Sequence, residues 1–150
     1  VIRVAALHDY AAIVNLAQRM GEEAGPPHDK NVPDLARLEH FVQKVLTAPN
    51  HVCLVYETDG RIEGFIAGAT ANDLLSGALY AYDHALYLAP EKRGGGGGFR
   101  LVRAFERWAA SAGCKFVRIE VTANIDNAAA NGVVSMAGFT PIGYHFHKDL

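Results

Sequence analysis

Cysteine is scarce in this chain. Cys53 and Cys114 are the only two and far apart, Cys53 between the apolar Val52 and Leu54. No Cys-x-x-Cys spacing occurs. Two buried free thiols are expected, ahead of a disulfide or a nucleophile. An excess of charge of either sign is also missing. The 14 basic and 16 acidic residues leave a net charge of -2, so no global field draws a polyanion and nucleic acid is not an expected partner. No apolar run approaches the roughly 18 residues of a spanning helix, and no basic segment followed by an apolar stretch opens the sequence. No membrane association is expected, and a cytoplasmic location follows as the expectation.

What is present suits one packed domain. The 150 residues are half hydrophobic and one-fifth charged, a size and balance at which a single core over residues 1-150 is the natural organisation. Val1 to Ala5 alternates like a strand. Asp9 then reads as the N-cap of a helix with Ile13, Leu16, Ala17 and Met20 on one face, broken at Gly21 and Gly25-Pro26-Pro27. A second helix is predicted from Asp34 through Val45. Residues 51–58 and 61–71 are β-rich runs joined by Asp59-Gly60, the pair suited to a type I′ hairpin. After a loop over 72–77, residues 79–88 read as a long apolar strand interrupted by Asp83-His84. Residues 99–111 then form an amphipathic helix stopped by Gly113. Residues 116–121 read as a strand, 128–137 as a short helix and 139–150 as closing strand material bent at Pro141 and Gly143.

Between the long strand and the amphipathic helix lies the run Arg93-Gly94-Gly95-Gly96-Gly97-Gly98. A disordered tract inside a single domain would carry a large entropic cost, so this one is expected to be ordered. Backbone amides free of side chains at a helix start, aided by the helix dipole, suit a phosphate or pyrophosphate. The P-loop is excluded because Phe99-Arg100, not Lys-Ser or Lys-Thr, follows Gly98. The Rossmann spacing fails in every register. The pattern that fits is Arg93-x-x-Gly96-x-Gly98, and here the sequence resembles the GNAT superfamily of acyl-CoA-dependent N-acetyltransferases. Supporting stretches are Ile2-Arg3-x-Ala5 with Asp9, Leu88-x-Pro90-Glu91-x-Arg93-Gly94, and Phe105-Glu106-x-Trp108-Ala109 with Gly113. Asn124, Asn127 with Ala130, Gly138-Phe139 and Lys148-Asp149-Leu150 extend the match over essentially the whole chain.

The resemblance implies an α/β (α+β) GNAT fold, with a mixed, mostly antiparallel sheet of roughly six to seven strands and about four helices on both faces. Strands four and five are splayed. It implies acetyl-CoA as cosubstrate, no metal, and acetyl transfer to a small-molecule or peptide amine by direct attack in a ternary complex. It also allows a homodimer. Leu86, Tyr87 and Leu88 are expected to offer the strand edge to the pantetheine arm, and Gly94, Gly95, Gly96, Gly97 and Gly98 their amides to the pyrophosphate. Arg93, Phe99 and Arg100 adjoin that loop. Asn124 and Asn127 match asparagines that contact pantetheine or cap the following helix, and both roles stand open.

Amine acylation needs a proton acceptor, because a free amine is mostly protonated near pH 7. His84 and Asp83 are the candidates. A buried structural role for either is the competing explanation. Val134 stands where the family commonly has a tyrosine proton donor, with Ser135 and Tyr144 as conceivable substitutes. That departure keeps a non-catalytic acyl-CoA-binding or partner-binding module in play. Glu22 and Glu23, with His28 and Asp29, lie in the segment that overhangs the acceptor site in the family, and acidic groups there would suit a cationic amine. His145-x-His147 lacks a third ligand of suitable spacing for a metal. Arg100, Arg103 and Arg107 share one helical face, and only Arg100 is near enough to meet the cofactor.

Overall fold

A computed structural model of the chain describes residues 1–30 and 33–150. Five strands form one sheet in the order β1 (Ile2–Val4), β2 (His51–Thr58), β3 (Arg61–Asn72), β4 (Leu79–Leu88) and β5 (Phe116–Arg118). All neighbours are antiparallel except β4 and β5, which run parallel. The helices are α1 (Tyr10–Glu23), α2 (Leu35–Thr47), α3 (Gly97–Ser111) and α4 (Asn127–Met136).

Strand alternation sorts the sheet's two faces. Cys53, Val55, Phe65, Ala67, Ala85 and Tyr87 pack with Ile13 and Leu16 of α1 and Val42 and Val45 of α2. Their sequence neighbours Val52, Leu54 and Ile66 pack with Leu101 and Phe105 of α3. This is the period-two pattern of a sheet covered on both sides. α4 packs chiefly against α3 and buries no residue of its own. The β2–β3 turn has the expected form, with positive φ at both Asp59 (52°) and Gly60 (72°).

Four expectations are corrected. The sheet has five strands among the described residues, not six or seven, because residues 139–150 form no strand. Pro141 lacks a ladder donor, and Ile142, Tyr144 and Phe146 face solvent at 81%, 88% and 93% exposure. The fifth strand stops at Arg118 instead of reaching Val121. α1 continues through Gly21 to Glu23, the glycine being covered by the Pro33 ring, which a Cβ there would strike at 2.2 Å. Asp9 makes no side-chain cap to α1. Its carboxylate is buried, receiving Arg3 Nη1 at 2.7 Å, Arg3 Nη2 at 2.9 Å and the Ala6 amide at 2.8 Å. Cys53 and Cys114 are free thiols, Cys53 buried and Cys114 half-buried. Burial pushes the Cys53 thiol up to about 12.

One irregularity shapes the region where sequence placed its chemistry. Ala85 sits opposite Ala67 and Asp83 opposite Gly68, which leaves His84 as an extra residue on β4. Such a bulge bends the strand and re-aims its side chains. Across from it, Gly68 has no room for a side chain: a Cβ would lie 2.4 Å from the Tyr82 carbonyl oxygen and 2.6 Å from the Phe105 ring.

Candidate active site

Beyond the bulge the sheet forks. The β4–β5 ladder pairs Tyr80 with Phe116, Ala81 with Val117 and Tyr82 with Arg118, and then ends. Asp83 stands just past the last pair, its Oδ1 accepting the Glu120 N–H at 2.9 Å. From there β4 continues to Leu88 with no partner on that side, while residues 119–126 diverge along the opposite wall. Between them opens a cleft of about 940 Å³. An unpaired strand edge presents backbone donors and acceptors to whatever extended group enters.

The expected cofactor residues fall mostly into this one space. Leu86, Tyr87 and Leu88 line it from β4. Arg93, Gly94, Gly96, Gly97, Gly98 and Phe99 close one end, and Asn124 and Asn127 contribute from the far wall. Gly95 and Arg100 are outside the lining. Arg100 instead curls back on the loop, its Nη2 meeting the Gly95 carbonyl and its Nε the Gly96 carbonyl, both at 3.4 Å, with the guanidinium over the Tyr56 ring. A shallow groove lined by Ile2, Phe99, Arg100, Arg103 and Arg107 follows the outer face of α3. Arg103 is paired there with Glu106 at 2.7 Å.

The glycine loop is ordered by its backbone. α3 begins two residues earlier than the apolar face predicts, with Gly96 as N-cap at φ 76° and Gly94 at φ 83°. Those left-handed conformations are costly for any residue with a Cβ. Arg100 is the first residue to bond back into the helix, to the Gly96 carbonyl at 3.0 Å. The N–H groups of Gly97, Gly98 and Phe99 therefore precede the helical ladder, at the positive end of the dipole and in the cleft wall. Nothing lies within 4 Å of where a Cβ of Gly94 or Gly96 would project. This donor set fits a pyrophosphate.

The candidate catalytic residues occupy the fork itself. His84, the extra residue of the bulge, borders the cleft. Its ring stacks on His51 at 5.5 Å and meets Tyr82 and Phe41 edge-on at 5.1 and 5.8 Å. Burial, reinforced by His51 and Lys44, lowers its pKa below the usual imidazole value. Asp83 is pushed the other way, to about 6, because burial outweighs the Glu120 N–H bond and the Glu120 charge adds to it. Val134 also lines the cleft, whereas Ser135 and Tyr144 are exposed and do not.

Other residues take places the sequence does not indicate. Glu22 is exposed and receives Gln18 Nε2 at 3.2 Å, and neither it nor Glu23 is in the cleft lining. Glu23 accepts a hydrogen bond from the Tyr87 hydroxyl and a 2.8 Å ion pair from Arg93. His28 does line the cleft, and the side chain of Asp29 falls outside what the structure describes. Asn124, at φ 52°, donates from Nδ2 to the Pro26 carbonyl at 3.0 Å and accepts from Asn127. The cap of α4 is Asp126, through the Ala129 N–H, not Asn127. His145 and His147 share no strand. They face separate carboxylates, Glu120 at 3.5 Å and Asp149 at 2.7 Å.

The strand fork, the bulge and the glycine-capped helix meet on this one cleft, and comparison with known proteins shows the family. The family model described as Acetyltransferase (GNAT) family matches residues 11–139, and the chain belongs to that family. No curated protein matches the sequence. Among solved structures, the chain is similar to aminoglycoside N-acetyltransferase AAC(6')-Iy bound to the bisubstrate analog CoA-S-monomethyl-acetylneamine, with 19% identity and a TM-score of 0.77 over 100% of this chain and 97% of that one. It is similar also to the aminoglycoside 6'-N-acetyltransferase AAC(6')-IG of Acinetobacter haemolyticus, with 16% identity and a TM-score of 0.74 over 100% and 99% of the two chains. A third is the ribosomal-protein-alanine N-acetyltransferase of Brucella melitensis biovar Abortus 2308, with 13% identity and a TM-score of 0.72 over 99% of each. At these identities the likeness is one of fold.

Proposed function

We propose that this chain is a single-domain N-acetyltransferase, residues 1-150, that passes an acetyl group from acetyl-CoA to an amine within a ternary complex. The observation that carries this is the continuity of one cleft from the free β4 edge to the amides at the start of α3. Acetyl-CoA supplies an activated acyl thioester. The backbone of Leu86, Tyr87 and Leu88 would hold its pantetheine arm as an added strand, and Gly94 to Gly98 with Phe99 its pyrophosphate. Asn124 and Asn127 stand on the opposite wall.

The amine must arrive without its proton. His84, whose neutral form is favoured by its surroundings, is the acceptor closest in chemistry to that task, and it borders the cleft from the bulge. Asp83, near 6 and bonded to the Glu120 N–H where the strands part, is the alternative base. The acceptor belongs to the amines as a class, small molecules or peptide amino groups. The neighbours named for aminoglycosides and for a ribosomal protein show how far one scaffold ranges.

Val134 favours a second reading, a module that binds acyl-CoA without turnover, because it offers no proton donor, while of the hydroxyl-bearing lining residues Tyr87 already donates to Glu23 and Thr122 stands on the far wall. One experiment separates the two. Titration calorimetry with acetyl-CoA and desulfo-CoA is followed by a thiol-release assay across small amines and lysine peptides. Binding with amine-dependent thiol release is the expected result. Binding with no release from any amine supports the module, and no binding at all defeats both.

A further inference from the structure

Five consecutive glycines carry no side chain with which to anchor themselves, so whatever fixes the loop must act from its flanks. Arg100 does so on one side, through the Gly95 and Gly96 carbonyls. On the other side stands Arg93, immediately before Gly94, and its guanidinium does not point freely at the cleft. Nε donates to the Leu88 carbonyl at 3.0 Å, Nη2 is paired with Glu23 Oε2 at 2.8 Å, and the group lies 5.5 Å from the centre of the Tyr87 ring. Glu23 Oε1 accepts from the Tyr87 hydroxyl as well. One carboxylate thus joins the last residue of α1 to the end of β4 and to the start of the glycine run.

The position argues that the contact has a purpose beyond helix stability. A carboxylate at the C-terminal end of a helix faces the negative end of the dipole, where an acid is disfavoured. Burial also works against its charge, yet the donors from Tyr87 and Arg93 outweigh it and Glu23 stays below the usual carboxylate range. One turn earlier on the same helix, Arg19 pairs with Glu91 at 3.1 Å, a second strap from α1 to the short turn that leads into the loop.

We infer that Glu23 is a positioning residue for the pyrophosphate loop, acting through Arg93 and Tyr87, and that Arg93 serves as an internal strut while the loop amides bind the anion. This rests on the proposed function. It assigns Glu23 to the cofactor loop in place of the amine acceptor.

The test uses the full chain and its Glu23→Gln, Arg93→Gln and doubly substituted forms. Glutamine keeps an acceptor for Tyr87 and removes only the charge that holds Arg93. Calorimetry with CoA is expected to show about tenfold weaker binding for E23Q, the scale of ordering a loop on binding. Pantetheine, which lacks the pyrophosphate, should bind as before. In the ligand-free protein, ¹⁵N order parameters of Gly94 to Gly98 should fall from about 0.85 in the unaltered chain toward about 0.6 in E23Q. R93Q should match E23Q, and the double substitution should lose no more than either alone. Unchanged or tighter CoA binding by E23Q overturns the inference, as does a parallel loss of pantetheine, which would mark a general packing role. A larger loss in R93Q that adds to that of E23Q would place Arg93 on the ligand and overturn the strut. If the unaltered chain binds no CoA, the functional reading falls and this inference with it. If it binds CoA while E23Q behaves identically, only the inference falls.

Discussion

Asp9 is the clearest instance of one side chain determining local structure. It is buried, at 4% exposure, and its two oxygens are filled by Arg3 and the Ala6 amide, while Arg3 Nε also reaches Glu57 at 2.6 Å. The Arg3 bond holds the Asp9 carboxyl at about 2, against an ordinary 3.8, in spite of burial. For an acid whose folded pKa is depressed, the stabilisation is present above the unfolded value and is lost as pH falls through the folded one. Asp9→Asn is therefore expected to cost about 2 kcal/mol at pH 7. The gap between variant and parent should close between pH 3.8 and about 2, as denaturant unfolding followed over that range would show. His84 and Asp83 make a second prediction at this scale. Both would be in their proton-accepting forms at pH 7, so kcat/KM should fall as pH drops, at about 6 if Asp83 is the base and below the ordinary imidazole value if His84 is. His84→Ala should lower kcat/KM by about a hundredfold and flatten that acid limb if His84 is the base, whereas Asp83→Asn should then keep it. The reverse pattern would assign the base to Asp83.

Among the elements, the glycine loop separates two substitutions that look alike in sequence. Gly96 caps α3 in the left-handed region, and Gly98 sits inside the first turn, where an added Cβ would rest 3.6 and 3.8 Å from the Val133 methyls, an ordinary contact. Gly96→Val should reduce CoA affinity by more than about tenfold, since a β-branched residue resists that φ by about 1–2 kcal/mol. Gly98→Ala should bind within about threefold of the parent, there being no strain to overcome. Calorimetry with CoA reads both. The same loop shows how much was legible in sequence. Its place between strand and helix, the hairpin at Asp59-Gly60, the span of β4 and the alternation of the two sheet faces all rest on local periodicity and turn chemistry. The site's membership was legible where it lies on such elements, as with Leu86 to Leu88 and Gly96 to Phe99. The Glu23 contacts were not, because 64 and 70 residues separate that acid from Tyr87 and Arg93 and no short-range pattern marks them. Nor was the loss of the closing strand: Ile142, Tyr144 and Phe146 alternate as a strand would, and alternation cannot say whether a partner edge is within reach.

For the whole molecule, the cleft is bounded by parts of unequal firmness. The β4 wall belongs to the sheet and to both buried clusters, whereas residues 119–126 leave the sheet and lead into α4. Asn124 ties that wall to the α1–α2 connection through the Pro26 carbonyl, and the Gly25 amide returns the bond to Ala123 at 3.2 Å. The two segments are thus joined by hydrogen bonds in both directions. Because α4 buries none of its residues, it can unfold locally without disturbing the core. Hydrogen–deuterium exchange should find its amides open at a free energy well below that of Leu101 to Phe105 in α3. Filling the cleft should slow α4 far more than α3, and no such slowing would mean that this wall takes no part in holding a ligand. A bulky two-part ligand would then enter by a hinged side panel, with the sheet as the fixed frame.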